Sequence, residues 1–214
     1  MNDQLISILP VWIIALIISL TFHEYAHAWA AHKLGDDTAE RAGRLSLNPL
    51  VHISWTGLII LVMFVVTMGW GFGWAKPVPF NPYNLRNPKR GTGLIAIAGP
   101  LSNIIQAVVF SVIFKIFESQ ILGSIGLFRF FSIFIRLNIV LAGFNLIPIP
   151  PLDGSKVLFS LLPNRMLGAY AKLEQYGFII FIIILVTPVG DFVLPLFFVP
   201  LMNLFKLIFD LPFF

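Results

Sequence analysis

Six long apolar runs, separated by short polar gaps, constrain what this chain can fold into. The runs cover residues 5–31, 57–74, 93–117, 127–147, 176–190 and 192–209. A helix needs about 20 apolar residues to cross a bilayer, and several of the runs reach that length. Charged residues make up only 11% of the 214 residues, against about 25% in a soluble domain. The sequence therefore predicts an all-α polytopic membrane protein with about five to six membrane segments.

A zinc-binding motif lies inside the first run. His23 and His27 are four residues apart, so a helix brings both imidazoles to one side of a metal, with Glu24 within reach of a water there. Residues 5–20 contain no ionisable side chain, so Glu24 lies at membrane depth, where charge is costly and is usually retained for function. The chain has no cysteine, so metal ligands must come from His, Asp or Glu. Zinc hydrolysis within the bilayer is the leading hypothesis.

The basic residues predict how the spans are oriented. Lysines and arginines crowd the gaps at residues 33–44, 76–90 and 156–172, whereas the gap at 118–126 has none. The positive-inside rule then places the first three gaps in the cytoplasm and the N-terminus outside. Because both gaps that flank residues 57–74 are then cytoplasmic, this run is predicted to be a re-entrant hairpin, with a single span as the alternative.

Two short stretches predict strands near the metal motif. Residues 43–49 and 75–80 alternate polar and apolar side chains, which favours short edge strands, with irregular loops as the alternative. An open edge would let an extended peptide add as a further strand. The longest polar gap, at residues 36–54, is too short to fold alone. A single membrane-embedded domain over residues 1–214 is therefore predicted, with its core at 5–160 and accessory C-terminal segments at 173–211.

Asp153 is the candidate for a third metal ligand, because catalytic zinc sites commonly have three. It lies at the cytoplasmic end of the fourth run, and the two histidines lie at the cytoplasmic end of the first, so one metal could join them. Pro-Leu-Asp-Gly is also a turn signature, in which Asp caps and Gly supplies a positive φ. The two interpretations coexist, since a turn can direct a carboxylate towards another helix.

Five stretches in order resemble the site-2 protease family (peptidase family M50) of intramembrane zinc metalloproteases. They are residues 23–27 (HEYAH), 43–49 (GRLSLNP), 73–79 (GWAKPVP), 98–103 (AGPLSN) and 145–154 (NLIPIPPLDG). The chain is similar to the compact branch without PDZ or CBS domains. The resemblance implies that His23, His27 and Asp153 bind one Zn²⁺ per chain, and that Glu24 is the general base.

The resemblance also implies a substrate, a location and partners. The expected activity is regulated intramembrane proteolysis, in which peptide bonds in or near the transmembrane segments of a substrate protein are hydrolysed. Asn145, and with it Asn103, is expected to help bind the substrate or steady the transition state. The alternative for Asn145 is an interhelical hydrogen bond near a broken helix, and the alternative for Asn103 is a cap or a packing polar group on a span. The expected location is the cell membrane, multi-pass, with the active site towards the cytoplasm. The lipid bilayer, a membrane protein substrate and a regulatory partner protein are expected to interact with the chain, and nucleic acid is not.

Two other classes of function remain open from the sequence. A catalytically idle relative that sequesters membrane partners would be expected to have lost Glu24 or one of the ligands, and all four residues are present. A metal-coupled or proton-coupled transporter predicts ionisable groups at several depths of the membrane, whereas here these groups cluster at one level.

Overall fold

The computed structural model describes residues 3–68 and 73–214, which form helices joined by turns and irregular segments. The helices are α1 (Asp3–Lys33), α2 (Thr38–Arg41), α3 (Trp55–Met68), α4 (Pro88–Ile116), α5 (Glu118–Leu122), α6 (Ile125–Asn145), α7 (Asp153–Leu161), α8 (Asn164–Glu174), α9 (Gly177–Val186), α10 (Val189–Val193) and α11 (Pro195–Phe209). Two short 3₁₀ helices cover Pro49–Val51 and Pro82–Asn84. The predicted all-α class is confirmed.

Four stretches of helix in the described part of the chain are long and apolar enough to cross a membrane. They are Ile8–Lys33, Pro88–Ile116, Ile125–Asn145 and Val189–Phe209. The pair Asn164–Lys172 and Gly177–Val186 is bent by 65° and adds a fifth if it forms one broken span. The chain is therefore a multi-pass membrane protein, while the count of about five to six segments stays a prediction.

The predicted hairpin at residues 57–74 is described in part. Its helix, α3, has 14 residues, fewer than a span needs, and residues 69–72 lie outside the described residues. Beyond that gap, the backbone of Trp74 lies directly against Gly57. A Cβ on Gly57 would lie 3.0 Å from the Trp74 nitrogen. The two described ends of the run thus lie side by side, as a hairpin requires, and its entry into the membrane stays a prediction.

The predicted edge strands do not form in the described residues. Residues 43–49 contain turns and bends, and residues 75–80 have no regular structure. Pro77 and Pro79 lack backbone N–H donors, so this segment cannot build a ladder on both of its edges. The alternation of polar and apolar side chains therefore reflects a segment with one polar and one apolar side rather than a sheet.

Helix α4 lies at the centre of the helix packing, in contact with α1, α6 and α7. Phe114 of α4 and Ile135 of α6 are completely buried in one cluster, to which α11 contributes Phe205. The outer faces of the spans are apolar and exposed, as at Ile14 and Leu207. Such a surface is unfavourable in water and is accounted for by lipid contact.

Local sequence signals fix where the two helices that meet at the site begin and end. The side chain of Asn87 accepts a hydrogen bond from the backbone nitrogen of Arg90 (3.0 Å), and Pro88 occupies the first position of α4. At its other end, α1 stops at Lys33 and is followed by Gly35 with φ of +100°, a conformation that glycine adopts without strain. These signals define the start of α4 and the end of α1, the two helices that meet at the site.

Candidate metal centre

Helix α1 carries three of the predicted site residues into the protein interior. His23, Glu24 and His27 are 4%, 8% and 8% exposed. Their spacing puts the two imidazoles on one helical face, with ring centroids 4.7 Å apart. All three lie within the candidate span Ile8–Lys33, where polar side chains are costly and usually serve a function.

Asp153 reaches the two histidines from a distant part of the chain. It is the first residue of α7, and its Oδ2 atom lies 3.1 Å from the Nε2 atoms of both His23 and His27. The two Nε2 atoms are 3.0 Å apart. The three side chains predicted as ligands therefore converge on one point.

Gly154 allows α7 to begin next to the end of α6. A Cβ at this position would overlap the carbonyl oxygen of Leu146, so a larger residue would push the two helices apart. The predicted capping role of Asp153 is wrong, because Leu152 is the N-cap of α7 and no side chain caps the helix, and Gly154 is not among the described glycines with a positive φ. The turn that follows α6 directs the Asp153 carboxylate towards α1.

Gly99 of α4 closes the other side of the histidine pair. A Cβ at Gly99 would lie 2.6 Å from the Cε1 and Nε2 atoms of His23, and closer still to Nε2 of His27. The imidazoles occupy the space that any side chain would need. Glycine is therefore required here for the two rings to face Asp153 together.

Hydrogen bonds on the far side of each ring leave both Nε2 atoms as acceptors. Nδ1 of His27 lies 2.7 Å from the carbonyl oxygen of Ile95, which can only accept, so Nδ1 carries the ring proton. Nδ1 of His23 lies 2.6 Å from Oδ1 of Asn103. Two imidazole lone pairs and a carboxylate oxygen therefore point at one another, an arrangement that a cation between them stabilises.

This donor set fits zinc. Zinc bonds of about 2.0–2.2 Å in a tetrahedral site place ligand atoms roughly 3.3 Å apart. The separations among His23, His27 and Asp153 are 3.0–3.1 Å, close to that value. Three protein ligands also leave a fourth position for a reactant, as in catalytic rather than structural zinc sites.

A second cluster of ligating side chains lies at the surface. Nδ1 of His32 lies 2.9 Å from Asp37 and 3.3 Å from Glu40, and the three side chains are 36%, 43% and 50% exposed. Ion pairs this exposed contribute little to stability. Asp36, the neighbour of Asp37 in the sequence, is by contrast completely buried.

Glu24 and the three candidate ligands line an open cavity of about 440 Å³. The rest of the lining is mainly apolar and includes Leu141, Phe144, Val78, Phe80 and Phe178. Asn145, one of the two asparagines expected to bind substrate, also lines the cavity. Asn103, the other, is completely buried behind His23 and is not part of this lining.

One oxygen of the Glu24 carboxylate, Oε2, is available to a hydrogen-bond donor that enters the cavity. Its Oε2 atom is buried and has no hydrogen-bond partner among the described residues. An unpaired buried carboxylate oxygen is costly, and such atoms often mark catalytic sites. A water or a substrate amide entering the cavity can donate the missing hydrogen bond.

A segment at residues 73–80, called the wall segment below, forms part of the cavity lining and is held at Lys76 by Arg44. Nη2 of Arg44 donates to the carbonyl oxygen of Lys76, whose own nitrogen donates to the carbonyl of His52 at 2.8 Å. Burial lowers the pKa of the Arg44 guanidinium below its ordinary value, and the nearby Glu24 carboxylate offsets part of that effect. The guanidinium stays charged.

Asp36 holds the chain just beyond the end of the wall segment. Its carboxylate accepts hydrogen bonds from the backbone nitrogen of Asn81 (2.6 Å) and from Nδ2 of Asn84 (2.7 Å). The hydroxyl of Thr38 donates a third at 2.5 Å. Burial by itself would raise the pKa of Asp36, but the hydrogen bonds from Thr38, Asn84 and Asn81 outweigh it and hold the pKa below its ordinary value.

Two imidazoles and one carboxylate thus form a candidate metal site with the donor set of zinc hydrolases, beside a glutamate oxygen that has no partner among the described residues. The model of the family described as "Peptidase family M50" matches residues 112–188. A Bacillus subtilis (strain 168) protein named "Putative zinc metalloprotease YwhC" is 43% identical over 194 residues, which cover 88% of this chain and 86% of that protein. The chain belongs to peptidase family M50.

Two more distant relatives carry similar names. "Putative zinc metalloprotease MJ0611" of Methanocaldococcus jannaschii is 33% identical over 175 residues, which cover 80% of this chain and 81% of that protein. "Putative zinc metalloprotease Rip2" of Mycolicibacterium smegmatis is 28% identical over 176 residues, which cover 80% of this chain but 65% of that protein. No solved structure matches the chain.

Proposed function

We propose that this chain is an intramembrane zinc metalloendopeptidase of the site-2 protease type. It would hydrolyse peptide bonds in or near the transmembrane segments of other proteins, and residues 1–214 would act as one membrane-embedded domain. The observation that carries the proposal is the convergence of His23, His27 and Asp153 beside the unpaired Glu24 in an open cavity. The names of the relatives agree with this chemistry.

His23, His27 and Asp153 would hold one Zn²⁺ per chain. Each histidine donates its Nδ1 proton to an oxygen behind it, which keeps Nε2 free to bind the metal. When bound, zinc supplies a Lewis acid that polarises the substrate carbonyl and lowers the pKa of water to about 7. The remaining chemistry belongs to the protein's own side chains.

Glu24 is the proposed general base. Its unpaired Oε2 accepts a proton from the water whose oxygen attacks the scissile carbonyl carbon. Glu24 then gives this proton to the nitrogen of the leaving amine as the C–N bond breaks. Water is consumed, one peptide bond is lost, and Glu24 returns to its starting carboxylate form.

The cavity lining favours an apolar, locally unwound peptide as the substrate. A peptide bond within a helix is shielded by its own hydrogen bonds, so the substrate must open before it can be attacked. Pro77 and Pro79 have no backbone N–H, so the backbone donors that this stretch could offer to an extended peptide are those of Val78 and Phe80. A substrate strand would pair with these groups, and Asn145 would donate a hydrogen bond to its backbone.

The proposed location is the cell membrane, with the N-terminus outside and the metal centre towards the cytoplasm. The basic gaps at residues 33–44, 76–90 and 156–172 support this orientation. The core at 5–160 would carry the chemistry, and the C-terminal segments at 173–211 would be accessory. A regulatory partner protein would control access of the substrate.

The experiment that tests this function compares Glu24→Gln with the wild type. The purified proteins are reconstituted in detergent with synthetic peptides that carry a fluorophore, a quencher and an apolar segment interrupted by Gly or Pro. Glu24→Gln is expected to abolish cleavage while zinc content is retained, because the ligands are untouched. Glu40→Gln, an exposed glutamate on α2, is the matched control and should cleave like the wild type. Cleavage by Glu24→Gln at the wild-type rate would exclude Glu24 as the base.

A further inference from the structure

Asn103 lies behind the metal centre rather than in the cavity. It belongs to α4, four residues after Gly99, and it is completely buried. Its Oδ1 atom lies 2.6 Å from Nδ1 of His23, on the side of the ring that faces away from Asp153. This contact connects Asn103 to a ligand rather than to a substrate.

The orientation of the Asn103 amide is set by a second asparagine. Nδ2 of Asn103 donates to Oδ1 of Asn138 on α6, at 2.8 Å. Nδ2 of Asn138 in turn donates to the carbonyl oxygen of Phe134 (2.9 Å) and to the hydroxyl oxygen of Ser19 on α1 (2.8 Å). The Ser19 hydroxyl donates its own proton to the carbonyl of Ala15 at 2.7 Å.

The polarity of this chain of hydrogen bonds is fixed by backbone carbonyls. The Phe134 carbonyl can only accept, so the amide nitrogen of Asn138 must face it and the amide oxygen must face Asn103. Asn103 must then turn its nitrogen towards Asn138 and its oxygen towards His23. Among the described residues, that oxygen has its hydrogen-bond partner at Nδ1 of the His23 ring, which must therefore carry the proton.

The consequence is a choice of tautomer. A neutral His23 with its proton on Nε2 would donate to Asp153, which lies 3.1 Å away, and the lone pair needed for a metal would be lost. The buried amides instead hold the proton on Nδ1. His27 needs no such device, because a backbone carbonyl, that of Ile95, fixes its proton.

We propose that Asn103 is a positioning residue of the metal centre, and that Asn138 and Ser19 keep its amide in the one orientation that leaves Nε2 of His23 free to bind zinc. The inference rests on the proposed function. It replaces the expectation that Asn103 binds substrate. The network joins α1, α4 and α6, so the same hydrogen bonds that satisfy buried amides within three spans also prepare a ligand.

Two substitutions at Asn103 make a crossed test. Asn103→Leu keeps the approximate size but removes the acceptor, so zinc affinity should fall about 10-fold to 100-fold, the usual loss when a partner of a ligating histidine is removed. Asn103→Asp keeps an oxygen opposite Nδ1 of His23, so zinc affinity should stay near that of the wild type. Its buried carboxylate should nevertheless lower the unfolding temperature. If Asn103 acted by packing alone, Asn103→Leu should bind zinc more tightly than Asn103→Asp.

The measurements are zinc affinity in detergent, by competition with a chromogenic chelator, and the ¹⁵N shifts of the histidine ring nitrogens in zinc-free protein. Asn103→Leu should move the His23 proton from Nδ1 to Nε2, whereas His27 should not change. Asn138→Leu changes a residue that contacts neither histidine, and it should move the His23 proton in the same direction to a smaller extent. If Asn103→Leu does not fold, Asn138→Leu tests the positioning role instead. Ser111→Ala is the control, since Ser111 is fully buried on the same helix and bonds only to the carbonyl of Ala107.

Each outcome has a definite meaning. Wild-type affinity in Asn103→Leu, or an unchanged His23 tautomer in both leucine variants, would overturn the positioning role. Zinc affinity that falls in step with thermal stability in all the variants, Ser111→Ala included, would also overturn it. Absence of zinc binding in the wild type would defeat the proposed function instead, and the tautomer in zinc-free protein would still test Asn103 separately.

Discussion

The cavity has two sides that are held in place by different kinds of contact. One side carries the candidate metal ligands and is called the metal-bearing side below, and the other is the wall segment. His23, His27 and Asp153 lie on helices, and hydrogen bonds to Ile95 and Asn103 of α4 hold the two rings. The wall segment, residues 73–80, has no regular structure. Arg44 holds it at Lys76, in the middle of the segment, and Asp36 holds the chain at Asn81, just beyond its end.

This difference matches what the two sides are proposed to do. Groups that stabilise a transition state act best when they are already fixed in position, so that no reorganisation occurs during the reaction. A surface that receives many peptide sequences benefits from a backbone that can adjust between fixed points. Substitutions on the metal-bearing side should therefore affect zinc and the rate, and those of the residues that hold the wall segment should mainly affect substrate binding.

Gly99→Ala should have the largest effect. The new methyl group would lie against both imidazoles, 2.6 Å from Nε2 of His23, so the two rings could not face Asp153 together. Loss of stoichiometric zinc and of peptide cleavage is expected, measured by metal analysis and by the peptide assay. Gly126→Ala on α6 is the matched control, because a Cβ there meets nothing within 4 Å. Full zinc content in Gly99→Ala would show that the two imidazoles can shift to admit a methyl group and still bind the metal.

Substitutions of Arg44 should have an intermediate effect and should separate two of its roles. Arg44→Lys keeps the charge near Glu24 but loses the Nη2 donor that holds the carbonyl of Lys76, so KM should rise several-fold with kcat little changed. Arg44→Met also removes the charge, so kcat should fall as well. Steady-state cleavage of the peptide set measures both constants. A drop in kcat with an unchanged KM for Arg44→Lys would show that Arg44 acts on the chemical step rather than on substrate binding.

Asp36→Asn should have the smallest effect on cleavage and a clear effect on stability. The amide replaces an oxygen that accepts hydrogen bonds from buried donors, so unfolding should become easier by about 2–3 kcal/mol. Cleavage should weaken through KM. Asp37→Asn, at a half-exposed neighbour, is the control and should change the unfolding temperature little.

The stability difference between wild type and Asp36→Asn should depend on pH. The pKa of Asp36 is lower in the folded protein than its unfolded value of about 3.9, so the carboxylate contributes its full stabilisation above that pH. The contribution is lost as the pH falls through the lower folded pKa. When thermal unfolding is measured from neutral to acid pH, the unfolding temperatures of the two proteins should therefore converge only at acid pH. A constant difference across that range would mean that Asp36 acts by packing alone.

The convergence of the three candidate ligands could be predicted from the sequence because it depends on local signals. The spacing of His23 and His27 is a property of one helix, and Asp153 follows a turn whose side of the membrane the charge pattern predicts. The structure brings these three side chains together as expected. The apolar runs likewise predicted α1, α4 and α6, since length and hydropathy decide a span.

The supporting residues could not be predicted because their partners are distant in sequence. Asn103 contacts His23 across 80 residues, and Asp36 contacts Asn81 across 45. Composition near Asp36 resembles an exposed acidic loop, and only the fold shows that its carboxylate is buried. The strands expected at residues 43–49 and 75–80 do not form in the described residues. An alternating pattern predicts which side chains share a face, but a strand also needs a neighbour that pairs with its backbone, and the pattern does not predict that neighbour.

Zinc content in the wild type and in Asp153→Ala tests the proposed metal centre most directly. Detergent-purified protein is loaded with zinc, freed of excess metal and analysed for zinc per chain, with Asp191→Ala, an exposed aspartate on α10, as the control. We expect about one zinc per chain in the wild type and the control, and its loss or marked weakening in Asp153→Ala. Zinc retained at wild-type affinity in Asp153→Ala would contradict a centre built from α1 and α7 and would require a different third ligand.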